Sequence, residues 1–354
     1  MHAEFWFQEG SNVTENWASG IIVILLAGFF QGTFMLPLKY TRRWSWENTW
    51  LGFSSTAYLI FPWSLALLTV PQLGEILART SGGEFLRILL IGFGWSCGAI
   101  TFGLGVDYVG ISLSFAVILG LTASLGTLVP LLVRSPAKPA TPQVAFILLG
   151  VVVMLAGILT CSWAGKLKDT ALRKGHVVPE SAPQKSFVLG LLLCILSGLF
   201  SPLGNLAFAF CRETTSLAKQ LGTPEQYVSI PFWALLTIPM FLCNAAFCVQ
   251  LLVRKHTLAK FFLPASGSYY LLAASMGAMW IASMAVYGIG ANKLGSIGPS
   301  IGWAIYMSST VVIATLWGLF TGEWRGAGQK ALRVMSAGLA VLVVAVFIIG
   351  FSNR

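Results

Sequence analysis

The chain alternates between long apolar runs and short polar loops. A membrane-spanning helix needs about 20 apolar residues, and ten runs are long enough: 19–38, 47–70, 85–107, 110–133, 143–164, 186–210, 227–252, 268–291, 295–320 and 331–351. Five runs lie on each side of the longest polar loop. The pattern predicts an all-α integral membrane protein with ten transmembrane helices.

One passage of the chain returns later at a fixed sequence separation. Gly92-Phe93-Gly94-Trp95 is echoed by Gly277-Ala278-Met279-Trp280. At the same separation, and without a gap, Gly103, Gly105 and Gly110 match Gly288, Gly290 and Gly295. A weaker echo, at a different separation, relates Ala27-Gly28-Phe29-Phe30 to Ser197-Gly198-Leu199-Phe200. Similarity at a fixed separation indicates a duplicated unit.

An odd number of helices in each unit makes the second unit enter the membrane from the opposite side, so we predict two inverted five-helix repeats. The predicted organisation is an extracytoplasmic tail at 1–18, a first repeat at 19–165, a cytoplasmic basic linker at 166–185 and a second repeat at 186–354. In membrane proteins this organisation is typical of transporters, whose binding site lies between the repeats.

Composition agrees with a membrane protein. The chain of 354 residues is 56% hydrophobic and only 10% charged, with a mean hydropathy of +0.79, whereas soluble domains carry about 25% charged residues. Its net charge of +10 comes from loop Lys and Arg, which fits lipid head groups and topology rather than nucleic acid. We therefore expect the lipid bilayer, and no nucleic acid, as a partner.

Basic residues predict the orientation. With the N-terminus outside, the inner loops hold most of the 22 Lys and Arg residues: Lys39, Arg42, Arg43, Lys166, Lys168, Arg173, Lys174, Lys185, Arg254, Lys255, Lys260, Arg325, Lys330 and Arg333. The positive-inside rule then places both termini outside the cytoplasm. Residues 1–18 lack the basic start of a signal peptide, so we expect the N-terminus to be retained.

The sequence offers no enzyme or metal constellation. His2, His176 and His256 lie in the tail or in loops, no hydrolase motif occurs, and no carboxylates pair inside an apolar run. The six cysteines lie in or at the ends of apolar segments without a CxxC pair, and we interpret them as packing residues. We expect no catalytic residue, no metal and no cofactor.

Three side-chain amides lie well inside the predicted helices: Gln31, Asn205 and Asn244. An amide buried in hydrocarbon is costly without a partner, so each either joins two helices or faces a wet cavity and binds a solute. Gln31 and Asn205 are on helices that correspond between the repeats, which favours the second role for these two.

Aromatic residues complete the predicted site. Trp95 and Trp280 lie mid-helix rather than at the membrane surface where Trp is usual, so they either fill space or stack on a sugar or base while donating an N–H. On helix 9, Ser296, Pro299, Ser300, Trp303 and Tyr306 form one helical stripe. Gly298-Pro299 would loosen the first turn and free backbone groups for a ligand, although an ordinary proline kink is an alternative.

Charged residues mostly lie at helix ends. Those within a few residues of a predicted boundary are Lys39, Glu47, Asp107, Glu213, Lys293 and Glu323. We interpret most of them as snorkelling or capping groups. Asp107 is the acid that we would test first for proton coupling, with a structural role at the helix end as the alternative.

Several stretches carry a family resemblance. They are Pro37-Leu38-Lys39, Arg43-Trp44-Ser45-Trp46-Glu47, Pro62-Trp63, the Gly92–Gly98 passage, Phe102-Gly103-Leu104, Tyr108–Ser112, Gly126–Leu128 with Pro130, Met279-Trp280, Tyr287, Ile301-Gly302-Trp303 and Glu323-Trp324 with Ala327-Gly328. On these residues the chain resembles the bacterial L-rhamnose/proton symporter family of the drug/metabolite transporter superfamily. The resemblance implies ten helices, an inverted repeat, an inner-membrane location and sugar uptake by alternating access.

The chain departs from the family pattern at two places. Ile297-Gly298-Pro299 stands where a family member has Gln-Tyr-Asp, and Asn205-Leu206-Ala207-Phe208 matches an Asn-Ala-Ala-Lys-Pro run only loosely. Both departures remove polar groups that could hold a sugar or carry a proton, and they bear on rhamnose specificity and proton coupling rather than on the fold.

The leading hypothesis is a secondary transporter that imports a small polyhydroxylated solute, L-rhamnose or a related sugar, with a proton. Its site would be lined by Gln31, Trp95, Asn205, Trp280, Ser300, Trp303 and Tyr306. One alternative is an exporter, or a carrier of another metabolite such as a nucleoside. A second alternative is a membrane sensor or assembly subunit without a transport cycle. Uniport also remains open, and the sequence leaves the oligomeric state undetermined.

Overall fold

The computed structural model describes residues 2–109, 111–134, 141–173, 186–264 and 266–353. Every long element in these ranges is a helix, and we number the membrane helices in chain order. They are α1 (His2–Thr33), α2 (Trp46–Thr69), α3 (Gly82–Val109), α4 (Ile111–Arg134), α5 (Pro142–Arg173), α6 (Phe187–Phe200 and Leu203–Phe210), α7 (Ile230–Arg254), α8 (Ser266–Lys293), α9 (Gly298–Phe320) and α10 (Gly328–Gly350).

Ten helices in the described ranges are long and apolar enough to cross a membrane. The prediction of an all-α protein with ten membrane helices is therefore confirmed. α1 reaches back to His2, into the predicted tail, and α5 continues to Arg173, into the predicted linker. The remaining linker residues, 174–185, lie outside the described ranges.

Two membrane helices are irregular near their middles. α2 contains a π-helical turn at Ser55–Ile60, just before Pro62. α6 is interrupted between Phe200 and Leu203, where Pro202 lacks the N–H that a continuous helix would use. Such interruptions are stable at membrane depth only where the surrounding protein or a wet cavity supplies partners.

Helices from the two halves interleave in the bundle. α1 packs against α8 and α9, and α6, the first helix of the second half, packs against α3 and α4. α2 packs against α8, while α7 packs against α3. α5 lies along α10, and α4 touches α9. The centre of the protein is therefore built from both halves, and it is there that the predicted site residues meet.

Candidate functional site

Two tryptophans, one from each half, meet at the centre of the bundle. The ring centroids of Trp95 on α3 and Trp280 on α8 are 6.0 Å apart. The ring of Trp95 covers Gly204 on α6, where an added Cβ would lie 2.6 Å from its Cζ3 atom. Tyr58 on α2 meets Trp280 edge-on, with centroids 4.8 Å apart. Four helices therefore contribute to this aromatic cluster.

The polar hydrogens of this cluster have no acceptor within the described part of the protein. Three polar groups have no hydrogen-bond partner among the described residues: the indole N–H of Trp95, the indole N–H of Trp280 and the hydroxyl of Tyr58. Trp280 and Tyr58 are each only 4% exposed. None of these three polar atoms is among the fully buried atoms without a partner, so the three donors face accessible space and are available to a ligand that offers oxygen acceptors.

Gln31 lies at the level of this cluster. The Ser283 hydroxyl on α8 donates to the Ala27 carbonyl of α1 at 2.8 Å, and α1 and α8 run in opposite directions. Gln31 follows Ala27 by one turn on α1, and Trp280 precedes Ser283 by about one turn on α8. Because the helices are antiparallel, Gln31 and Trp280 lie at the same level. The Oε1 atom of Gln31 is buried and has no hydrogen-bond partner among the described residues, so it also remains available to a ligand.

Asn205 is fully occupied by the protein. Its Nδ2 donates to the carbonyls of Gly126 at 2.8 Å and Pro299 at 2.9 Å, and its Oδ1 accepts a short hydrogen bond from the Tyr287 hydroxyl. The side chain is 0% exposed. In this conformation the amide joins α6 to α4, α8 and α9, and the Pro299 carbonyl that was expected to be free for a ligand is bonded within the protein.

Trp303 and Tyr306 belong to the same closed network. The Trp303 indole donates to the Thr122 carbonyl at 3.0 Å, and the Tyr306 hydroxyl lies 3.0 Å from the Ser283 hydroxyl. Their ring centroids are 5.4 Å apart. Both side chains are buried, so with their hydrogen bonds to α4 and α8 they form a packed layer rather than an open surface.

The stripe predicted on α9 is one residue shorter than expected. Pro299, Ser300, Trp303 and Tyr306 are all buried on the helix, but Ser296 is exposed in a short 3-10 turn that precedes it. The prediction that Ser296 belongs to the stripe was wrong, because the α-helix begins only at Gly298. The Ser300 hydroxyl is without a hydrogen-bond partner among the described residues.

The third predicted amide, Asn244, ties helices together. Its Oδ1 accepts from the Trp50 indole at 3.0 Å, and its Nδ2 donates to the Ser96 hydroxyl at 3.0 Å. These bonds join α7 to α2 and α3. Tyr58 and Trp50 were missed by the sequence reasoning. Tyr58 lies one turn before Pro62 of α2, and that position was a signal that could have found it.

Matching glycines at the two ends of the bundle differ in their cover, and we call the end at Gly288 the closed end and the end at Gly103 the uncovered end. At the closed end, a Cβ added at Gly288 on α8 would lie 2.5 Å from the Ser229 Oγ atom, immediately before α7. The matching position on α3 is Gly103, where an added Cβ would meet no atom of a described residue within 4 Å. Ala99, one turn nearer to Trp95 on the same face, is also exposed. An uncovered face of α3 therefore leads from Gly103 to Trp95.

At the uncovered end, the start of α2 is held by the loop after α7. Glu47 was expected to be a snorkelling or capping group, but it is 0% exposed. Its carboxylate accepts from the Thr257 hydroxyl at 2.7 Å and from Lys255 at 3.1 Å. Lys39 and Glu323 pair nearby between α1 and α9. The side chain of Asp107 lies outside the described part of the structure.

At the closed end, the start of α3 is held by the segment after α6. The Glu213 carboxylate accepts from the Ser81 backbone N–H at 2.7 Å and from its hydroxyl at 2.6 Å. The Glu84 carboxylate, 2% exposed, accepts from the Glu213 backbone N–H at 3.0 Å and pairs with Arg87 at 3.0 Å.

Comparison with known proteins gives a consistent result over nearly the whole chain. Residues 13–353 match the family model described as L-rhamnose-proton symport protein (RhaT). Proteins named L-rhamnose-proton symporter from Cronobacter sakazakii, Salmonella paratyphi B and Salmonella newport are each 30% identical over 338 residues. Each alignment covers 94% of this chain and 96% of the relative.

The ten apolar helices and these matches together define a multi-pass inner-membrane transporter and not an enzyme. The chain belongs to the L-rhamnose-proton symporter family. The resemblance read from the motifs of the sequence is thereby confirmed.

Proposed function

We propose that this protein imports L-rhamnose, or a closely related sugar, together with a proton, by alternating access. The relatives that it matches over 94% of its length are named L-rhamnose-proton symporters. Family membership favours this function over an exporter, a nucleoside carrier, or a sensor without a transport cycle.

The aromatic cluster at Trp95, Trp280 and Tyr58 is the observation that carries the proposal. L-Rhamnose is a deoxy sugar with a methyl group and an apolar C–H face, which suits stacking on an indole. Its hydroxyl oxygens would accept from the three donors that lack partners among the described residues. The cluster thus offers an aromatic surface to the apolar face of the sugar and hydrogen-bond donors to its hydroxyl groups.

The other predicted residues would serve the same site in two ways. Gln31 and Ser300 would bind sugar hydroxyls directly. The Oε1 atom of Gln31 and the hydroxyl of Ser300 have no hydrogen-bond partner among the described residues. Asn205, Trp303 and Tyr306 would hold the wall behind the cluster in this conformation, because their polar atoms are bonded within the protein. They would reach the sugar only if the network rearranged during the cycle.

Repeated contacts support the proposal of an inverted repeat. A Cβ at Gly290 on α8 would lie 2.6 Å from Ile24 on α1, and a Cβ at Gly105 on α3 would lie 2.7 Å from Cys194 on α6. Gly105 and Gly290 correspond in the echo of the sequence, and Ile24 and Cys194 each stand one turn before the corresponding Gly28 and Gly198. The two halves, 19–165 and 186–354, therefore use the same contact twice.

The sugar would enter and leave through the uncovered face of α3. In the cycle we propose, the start of α2 closes over Gly103 while the start of α7 withdraws from Gly288, which opens the opposite end. The uncovered end carries Lys39 and Lys255, and the positive-inside rule places it in the cytoplasm. The structure would then be inward-facing, with the 166–185 linker inside and both termini, including the 1–18 tail, outside.

A coupled proton requires a carboxylate that gains and loses it during the cycle. Asp107, near the end of α3, is the acid that the sequence favoured, and it stays a candidate on its position in the chain alone.

Ligand binding to the purified protein tests the proposed substrate. L-Rhamnose should raise the melting temperature of the detergent-solubilised protein in a concentration-dependent way, because a ligand that binds only the folded state stabilises it. A nucleoside and an amino acid should leave the melting temperature unchanged. Stabilisation by the nucleoside and none by any sugar would overturn the proposal.

A further inference from the structure

α2 changes its helical form near its middle. Over Ser55–Ile60 the backbone forms a π-helical turn, and the Phe61 N–H bonds the Thr56 carbonyl, five residues earlier in the chain. Pro62 follows at once, and it has no N–H to offer to the Tyr58 carbonyl. Single π-helical turns inside α-helices are rare and frequently occur at functional sites. This turn is therefore the point at which α2 can change its direction.

Three consecutive hydroxyls lie at the same turn. The side chains of Ser54, Ser55 and Thr56 each donate to the backbone carbonyl four residues earlier, at 2.7, 2.8 and 3.1 Å. Hydroxyls that bond in this way compete with the backbone N–H groups of the helix and often bend it. They also keep those carbonyls hydrogen-bonded when the backbone bends, which matters at membrane depth.

The two sides of the turn have different neighbours. Before the turn, the Trp50 indole donates to Asn244, in the second half of α7, at 3.0 Å. After the turn, Ala66 lies in a separate apolar cluster with Ile230 and Ala234 from the start of α7. The start of α2, at 46–54, can therefore change its direction while the rest of the helix stays packed at the closed end.

Tyr58 lies inside this turn and also belongs to the aromatic cluster of the candidate site. Its ring meets Trp280 edge-on at 4.8 Å, and it meets Phe53, on the start of α2, at 5.4 Å. Its hydroxyl has no hydrogen-bond partner among the described residues. One side chain thus contacts the site and the segment of α2 that would move.

α2 packs against α7 and α8 in this structure rather than against α3. Closure of the uncovered end needs the start of α2 to meet α3 at Gly103, which lies about two turns from Trp95 on the same helix. A sugar that accepts hydrogen bonds from Tyr58 and Trp95 would connect α2 to α3. Sugar bound in this way would favour the arrangement in which the start of α2 covers α3.

We propose that Tyr58 couples sugar binding to closure of the uncovered end, with the π-helical turn at Ser55–Ile60 as the hinge. This inference rests on the proposed function. The Tyr58 hydroxyl donates to a sugar oxygen, the sugar connects α2 to Trp95, and the start of α2 bends towards Gly103. Without the sugar this connection is missing, and the open arrangement is favoured.

Cysteine labelling with and without sugar tests the role of Tyr58. In protein whose native cysteines are replaced, Ala99→Cys reports access to the uncovered end, and saturating L-rhamnose should slow its reaction with a maleimide. Tyr58→Phe keeps the ring and removes only the hydroxyl. We expect it to lose this protection, while its affinity for L-rhamnose, from thermal stabilisation, falls only about two- to tenfold. Tyr40→Phe, at a tyrosine that is 51% exposed, is the matched control and should keep the protection.

Two results would overturn the inference: full protection of Ala99→Cys in the Tyr58→Phe variant at saturating sugar, or no protection in protein with the native Tyr58 that L-rhamnose nevertheless stabilises. Protein with the native Tyr58 that L-rhamnose does not stabilise at all would instead contradict the proposed function. The two failures are therefore distinguishable.

Pro62→Ala tests the hinge, and it provides the second test should Tyr58→Phe fail to fold. Alanine supplies the N–H that proline lacks, which favours a regular α-helix over the π-helical turn. Counterflow of labelled L-rhamnose in proteoliposomes should slow by at least about tenfold, while stabilisation by the sugar is retained. Pro71→Ala, at an exposed position after α2, is the matched control. Counterflow at the wild-type rate in Pro62→Ala would overturn the inference.

Discussion

The indole rings of Trp95 and Trp280 lie 6.0 Å apart, with their planes inclined by 39°. Each comes from the third helix of its half of the chain, and the two positions correspond in the sequence echo. Helices α3 and α8 thus bring equivalent side chains to the middle of the bundle. The pair offers aromatic surface and two N–H groups without an acceptor among the described residues, which suits the small sugar that we propose as the substrate.

Removing either indole should weaken sugar transport. An aromatic contact of this kind contributes about 0.5–1.5 kcal/mol beyond its buried area, so Trp95→Ala and Trp280→Ala should each raise the KM for L-rhamnose by at least about three- to tenfold. Trp163→Ala is the matched control, because that indole is 52% exposed on α5. Initial rates of uptake at several sugar concentrations provide the measurement. Unchanged KM values in both central variants would remove the cluster from the site.

A larger side chain at Gly103 and one at Gly288 should favour opposite conformations of the transporter. Gly288→Val places atoms where Ser229 now lies, so it should disfavour the present conformation and expose the closed end. Gly103→Val meets open space here and should fold normally, but it should prevent α2 from closing over α3. Labelling of single cysteines introduced at Ala99 and Asn292, with a membrane-impermeant maleimide, reports which end is accessible. Identical labelling patterns in the two variants would contradict the exchange of ends that we propose.

Asn205 should affect stability more than sugar affinity. Asn205→Ala removes the donor to Gly126 and Pro299 and the acceptor of Tyr287, and buried groups left unpaired cost about 1–3 kcal/mol each. We expect a clearly lower melting temperature, whereas Gln226→Ala, at an exposed position, should leave it unchanged. A raised KM with unchanged melting temperature would instead make Asn205 a sugar ligand.

The helices were predictable because their signal is local. Ten apolar runs of sufficient length fixed the number of membrane helices, and the motifs around Trp95 and Trp280 indicated the family. The sequence reasoning also placed Trp95 and Trp280 away from the membrane surface. Their meeting at 6.0 Å follows from how α3 and α8 pack, which no local pattern records.

The sequence could not predict which polar groups of the candidate site are hydrogen-bonded within the protein and which are not. Asn205 and Gln31 are both amides inside apolar helices, yet Asn205 is fully bonded while the Oε1 atom of Gln31 has no partner among the described residues. The difference depends on the backbone carbonyls of Gly126 and Pro299, which lie on helices distant in sequence from Asn205. Glu47 was likewise taken for a capping group, because its burial depends on the loop at 255–257.

The Lys39–Glu323 ion pair should contribute little to stability. Both side chains are substantially exposed, at 36% and 45%, and exposed ion pairs contribute about 0–1 kcal/mol. Glu323→Gln should therefore change the melting temperature only slightly and leave proton-driven uptake intact. A large loss of uptake in this variant, with the protein folded, would show that the contact between α1 and α9 takes part in the transport cycle.

Accumulation of labelled L-rhamnose in proteoliposomes, with and without an imposed inward proton gradient, tests the central claim most directly. A proton-coupled sugar importer should concentrate L-rhamnose above the external level only when the gradient is present, and a protonophore should abolish the accumulation. Folded protein that takes up no L-rhamnose under either condition would contradict the claim.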